Sequence, residues 1–148
     1  MKTSLRTILC AAAAALALAS CQKPAAERLA GGYTCVSNAV VGVDDHPIKT
    51  DNETVSISRI DDNTVKITTR SRRWGEAEFE HVEISDYNST CNFSGDGKAR
   101  MPGVNTPYDA YLSGSFVYDS KALAVSVSVK GYSSRCVITF TNTDYSKL

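Results

Sequence analysis

Leu123, Val125, Val127 and Val129 alternate with Ala124, Ser126, Ser128 and Lys130. A period of two puts the apolar side chains on one face of a β-strand and the small or polar ones on the other; a helix, whose faces repeat every three to four residues, cannot use it. One face is then buried and one is wet, which demands a sheet folded over a core. The pattern recurs, more loosely, from Gly31-Gly32 to Phe140, broken by turn residues roughly every ten positions. Eight strands follow from this reading, at about 33–41, 54–60, 64–69, 77–87, 90–100, 110–118, 123–130 and 135–141.

Local chemistry sharpens several of these. Asp61-Asp62-Asn63 reads as a hairpin turn and Asn88-Ser89 as another. In the fourth strand the apolar frame is odd at Phe79 and even at Val82 and Ile84, which predicts one extra residue absorbed in a bulge near Glu80-His81. Gly95 and Gly97 predict a bend in the fifth strand. Long connections are expected at 42–53, 70–76 and 101–109. Sequential strands joined mostly by hairpins specify an all-β, eight-stranded antiparallel up-and-down barrel, which leaves no open edges; a two-sheet β-sandwich, which needs long crossovers, is the alternative.

The first 20 residues have a different composition. Lys2 and Arg6 precede an apolar block from Ile8 to Ala19 that ends in small residues, the layout of a secretory signal, too short to span a bilayer. The closing run Leu18-Ala19-Ser20-Cys21 resembles the lipobox of bacterial lipoprotein signals. That resemblance implies that the Cys21 thiol takes a diacylglycerol, that cleavage falls before it, and that further acylation anchors the chain through two or three fatty chains, one alone being marginal. On the same resemblance, Gln22 in place of Asp implies sorting to the outer membrane. The expected organisation is a signal at 1–20, the lipidated cysteine and a tether over 21–31, and a barrel over 32–148. The residues after Cys21 (Gln, Lys, Pro, Ala, Glu, Arg) show no pattern that would pack, and no helix is expected beyond the signal.

The full chain carries 16 basic and 16 acidic residues, and loss of Lys2 and Arg6 leaves 14 against 16. So even a charge gives no electrostatic footprint for nucleic acid. Of five cysteines, Cys10 leaves with the signal and Cys21 goes to lipid. Among Cys35, Cys91 and Cys136 one disulfide is expected in an oxidising compartment. Cys35 with Cys136 is the pairing favoured by a closed barrel, in which first and last strands adjoin, and Cys91 is the alternative partner.

The layout of Thr54 to Ile60, Thr64 to Ile67, Phe79-x-x-Val82-x-Ile84, Cys91 to Gly95, Leu112 to Ser115, Leu123-x-Val-x-Val127 and Val137 to Phe140 is similar to the calycin-like, lipocalin-type lipoprotein domains of Bacteroidales. The resemblance implies an eight-stranded barrel over nearly the whole mature chain.

No residues form a recognisable catalytic arrangement. His46 in Asp44-Asp45-His46-Pro47 fits a turn better than a metal site, and neither histidine has a nucleophile at motif spacing. Ser94-Gly95-Asp96-Gly97-Lys98 lacks the helix that a phosphate loop requires. No metal and no cofactor are expected. Arg70, Arg72, Arg73 and Trp74 form the one basic and aromatic cluster, which could stack Arg on Trp and meet an anionic partner, or simply cover a barrel end. The chain is thus expected to be a non-enzymatic, membrane-anchored envelope protein. Its barrel would bind a small apolar ligand or, if filled, contact protein or glycan partners.

Overall fold

The computed structural model describes residues 22–143. A short helix, α1 (Ala25–Leu29), precedes eight strands: β1 (Gly31–Val41), β2 (Ile48–Arg59), β3 (Thr64–Ser71), β4 (Gly75–Tyr87), β5 (Thr90–Arg100), β6 (Tyr108–Val117), β7 (Ala122–Val129) and β8 (Cys136–Asn142). Each strand pairs antiparallel with the next, and β1 also pairs with β8, from Cys35 opposite Asn142 to Val41 opposite Cys136. The sheet is a closed up-and-down barrel, as the short connections required; the sandwich is set aside.

The alternation that begins at Leu123 is the organising feature of the core. Leu123, Val125, Val127 and Val129 are all buried, and the inward positions of the other strands (Val55, Ile57, Val65, Ile67, Val82, Ile138 among them) join them. Phe79, Phe93, Phe116 and Phe140 fill the wider gaps, each almost fully buried. Outward positions carry Ser56, Ser58, Asn92, Ser113 and Ser115, all exposed. The barrel is therefore apolar inside and polar outside.

The bulge stands where the change of frame placed it. Val65 faces Val82 and Ile67 faces Phe79, so β4 spends three steps where β3 spends two, and Glu80 and His81 both lie exposed. All three long connections are shorter than expected, the third only because Tyr108 and Asp109 already belong to β6. β2 starts at Ile48, because Asp51-Asn52 is not a turn but a second bulge: Cys35 faces Glu53, Ser37 faces Thr50, and Asn52 takes φ 59° to absorb the extra residue. β3 and β4 run on until Ser71 faces Gly75, leaving only residues 72–74 as the turn.

The segment expected to be a loose tether is partly structural. Ala25, Ala26 and Leu29 of α1 are buried. Its turn is tied down: Ala26 N donates to Asp62 O at 3.2 Å, and the Tyr33 hydroxyl donates to Leu29 O at 2.6 Å. The Arg28 guanidinium lies 3.3 Å from the centre of the Tyr118 ring. No helical signal is legible here because one turn of five residues has no periodicity to display; its helicity comes from packing against the barrel.

The disulfide expected between Cys35 and Cys136 does not form. Cys35 faces Asn142 whereas Cys136 faces Val41, so six residues of β1, about 20 Å, separate them. A disulfide tolerates no more than about 7 Å between Cα atoms. Cys91 and Cys136 are free, buried thiols. Cys21 lies outside the described residues.

Candidate functional site

Strand directions sort the connections between two ends. The α1 end holds the turns at 60–63, 88–89 and 118–121; the other end holds the connections at 42–47, 72–74, 101–107 and 130–135. The basic and aromatic cluster sits at this second end, on the β3–β4 hairpin.

That hairpin is tight. Ser71 Oγ accepts from Arg73 N at 3.2 Å and from Trp74 N at 3.0 Å, and Gly75 follows at φ 83°. A Cβ on Gly75 would collide with the Arg100 carbonyl, so only glycine lets β4 start against the end of β5. The four cluster residues are brought together in sequence but do not converge on one point. Arg70 Nε bonds Glu76 Oε2 at 3.1 Å across the hairpin, Arg72 is exposed, and the Arg73 guanidinium stands 5.5 Å from the Trp74 ring centre. Trp74 folds onto the core, and its indole N–H is buried without a hydrogen-bond partner.

Beneath Trp74 lies a cavity of about 10 Å³, bordered by Thr69, Ser71, Met101, Val127, Val129 and Phe140. This is room for one water molecule, not for an acyl chain or a ring. Nearby polar groups went unnoticed in the sequence. Glu53 is 1 % exposed and neither carboxylate oxygen has a hydrogen-bond partner; Ser37 Oγ and Thr50 Oγ1, on neighbouring inward positions of β1 and β2, are likewise buried and unbonded. The signal for Glu53 was present in its phase, two before Val55 and four before Ile57.

The other end holds a second interior polar group. The Tyr118 hydroxyl donates to Asp86 Oδ1 at 2.8 Å, and burial, followed by that carboxylate, raises its pKa. Tyr33 is pushed up to about 12, first by burial and then by Cys91 and Cys35.

Outside the barrel, a groove of about 560 Å³ runs over β4 to β8, with Ser85, Tyr87, Asn92, Ser113, Ser126 and Thr139 on its floor and rim. A smaller depression of about 260 Å³ on β4 and β5 is charged, with Glu76, Glu78, Glu80, Lys98 and Arg100 around it. Lys66 bonds Glu78 at 2.7 Å and Glu80 at 2.9 Å there, and these bonds raise its pKa. His46 stays in an exposed turn: Asp44 Oδ1 accepts from its backbone N–H at 3.2 Å and meets its ring Nδ1 at 2.8 Å, holding the Asp44 carboxyl below the usual range. Among the described residues no group of three or more His, Cys, Asp or Glu side chains is placed to hold a metal ion.

No known family profile matches the sequence, and no curated protein does. The fold is similar to a crystal structure from Bacteroides fragilis of a candidate outer membrane protein, with a TM-score of 0.68 at 20 % identity over 83 % of this chain. The chain spans 54 % of that protein's length. At this identity the likeness speaks for the barrel fold.

Proposed function

We propose that the protein is a lipid-anchored component of a bacterial cell envelope, sorted to the outer membrane. Its calycin-like barrel acts there as a rigid, non-enzymatic scaffold for an envelope protein or glycan, rather than as a carrier of a small apolar ligand. The filled interior supports the scaffold over the carrier: a residual cavity of about 10 Å³ compares with ligand sites of roughly 300–1,000 Å³. Partner contacts then fall to the loops and the outer faces, where the groove over β4 to β8 offers hydroxyl and amide groups.

Two observations support the anchor. The run ending at Cys21 has the lipobox form, and the polarity of the barrel is the reverse of a membrane-spanning one, whose apolar side chains point outward. Attachment to a membrane therefore calls for something other than the strands. The likeness to the Bacteroides fragilis protein is in keeping with an envelope setting.

Trp74 is the one tryptophan, so its emission tests the carrier reading directly. Titration with a fatty acid, a sterol and haem is expected to give no saturable change. A saturable quench or blue shift with any of them would restore the carrier. Intact-mass analysis of envelope-purified protein is expected to show diacylglyceryl and acyl mass on the peptide beginning at Cys21.

A further inference from the structure

Helix α1 fixes where the chain enters the barrel. Through Ala26 N to Asp62 O, the Tyr33 hydroxyl to Leu29 O, and the Arg28 guanidinium over Tyr118, it is locked against one end. Only residues 22–24 separate it from Cys21. Four Cα steps at full extension reach about 14 Å. A chain anchored at Cys21 thus holds the α1 end of the barrel close to the lipid headgroups, and the other end meets them only if the barrel lies on its side. The barrel is about 28 Å tall if β5, with eleven residues, rises ~3.3 Å per residue at a tilt of ~40°.

A second observation points the same way. Exposed large apolar side chains are few, and two of them, Ile60 (48 % exposed) and Tyr87 (60 % exposed), lie at the α1 end in or beside its turns. A tyrosine whose ring is apolar and whose hydroxyl is wet suits the headgroup layer. The other two, Val43 (93 % exposed) in the 42–47 connection and Tyr111 (41 % exposed) on the outer face of β6 towards the opposite end, take no part. Basic and acidic side chains are mixed at the α1 end, Lys23, Arg59 and Lys121 beside Glu27, Asp61, Asp62 and Asp119, so no patch of one sign dominates there and the tether and these apolar contacts set the geometry.

We infer that the α1 end, with Ile60 and Tyr87, rests on the lipid surface. The barrel then stands end-on, and the β3–β4 hairpin carrying Arg70, Arg72, Arg73 and Trp74 points away from the membrane that holds it. This rests on the lipid-anchor reading and adds which surface meets the lipid and which meets partners.

The test is depth-dependent quenching with the mature, lipidated protein in phosphatidylcholine vesicles containing lipids brominated on their acyl chains. Trp74 emission is expected to be unchanged by bromine, whereas Tyr87→Trp in a Trp74→Phe background is expected to lose at least half its emission. Vesicle flotation and the intact mass are read in parallel. Vesicle-bound protein in which Trp74 is quenched, or in which the residue-87 tryptophan is not, overturns the end-on inference and leaves the anchor standing. Protein that does not float and carries no lipid mass overturns the anchor, and the inference with it.

Discussion

Gly114 of β6 faces Phe93 of β5, and the Phe93 ring occupies the space where a Cβ on residue 114 would stand. Phe93 is 3 % exposed, so the ring has nowhere to move without pushing into the core. Gly114→Ala is expected to destabilise the barrel by about 1–3 kcal/mol through overpacking. Gly32→Ala, with nothing near the added methyl group, serves as the control in the same urea denaturation series and is expected to shift the midpoint little.

Glu53 gives a prediction of opposite sign. A carboxyl group that is 1 % exposed with both oxygens unbonded works against the fold, because burying a polar group without hydrogen-bond partners costs about 1–3 kcal/mol. Glu53→Met, similar in length and free of that cost, is expected to stabilise by about 1–3 kcal/mol. Equilibrium denaturation at neutral pH reads the change, and a destabilised variant would mean that the carboxylate has a partner that holds it in place.

Leu29 measures how far the segment after Cys21 belongs to the domain. It is fully buried, in a helix of only five residues. Leu29→Ala is expected to cost about 2–4 kcal/mol, as for other large-to-small changes in a core. A tether without structure would give no change in the melting temperature.

Alkaline pH should unfold the protein early. Tyr33 titrates at about 12 in the fold against about 10 in an unfolded chain. A raised folded pKa contributes stability that is fully present below about 10 and is lost as pH rises towards 12. Tyr118, raised by burial and by Asp86, adds to the loss in the same direction. Thermal melts from pH 8 to 12 are expected to fall steeply above pH 10, and Tyr33→Phe to flatten that fall.

Burial also raises the thiols of Cys91 and Cys136 above their usual pKa. Both are expected to resist maleimide at neutral pH in the folded protein and to react within minutes in denaturant, a difference that mass spectrometry of alkylated peptides resolves. Peptide mapping without reductant is expected to find no link between Cys35 and Cys136.

Where side-chain phase alone decides, the sequence was legible. Leu123 to Val129 announced a strand, and Phe79 against Val82 and Ile84 located a bulge, because every residue there reports its own face. The start of β2 was hidden within the expected connection 42–53 because Asp and Asn, common in loops, also tolerate the left-handed backbone of a bulge; only pairing with β1 distinguishes the two. Cys35 and Cys136 misled because adjacency of strands says nothing about height. That height depends on register, which is fixed here by Cys35 lying opposite Asn142. At the candidate site, the hairpin cluster was visible as residue types and Glu53 shared the phase of Val55 and Ile57, but that Glu53, Ser37 and Thr50 are unbonded shows only when their neighbours are known.

Closure of the barrel by β1 against β8 also sets an order of events as the chain emerges from its N-terminus. β1 comes first, and its final partner is about a hundred residues behind, so that strand waits with one edge unpaired while the rest follows. Contacts so distant along the chain close slowly, and an unpaired edge is an invitation to another chain. A chain stalled before β8 emerges would present it indefinitely, so truncation upstream of Cys136 should yield an aggregating product rather than a smaller soluble one.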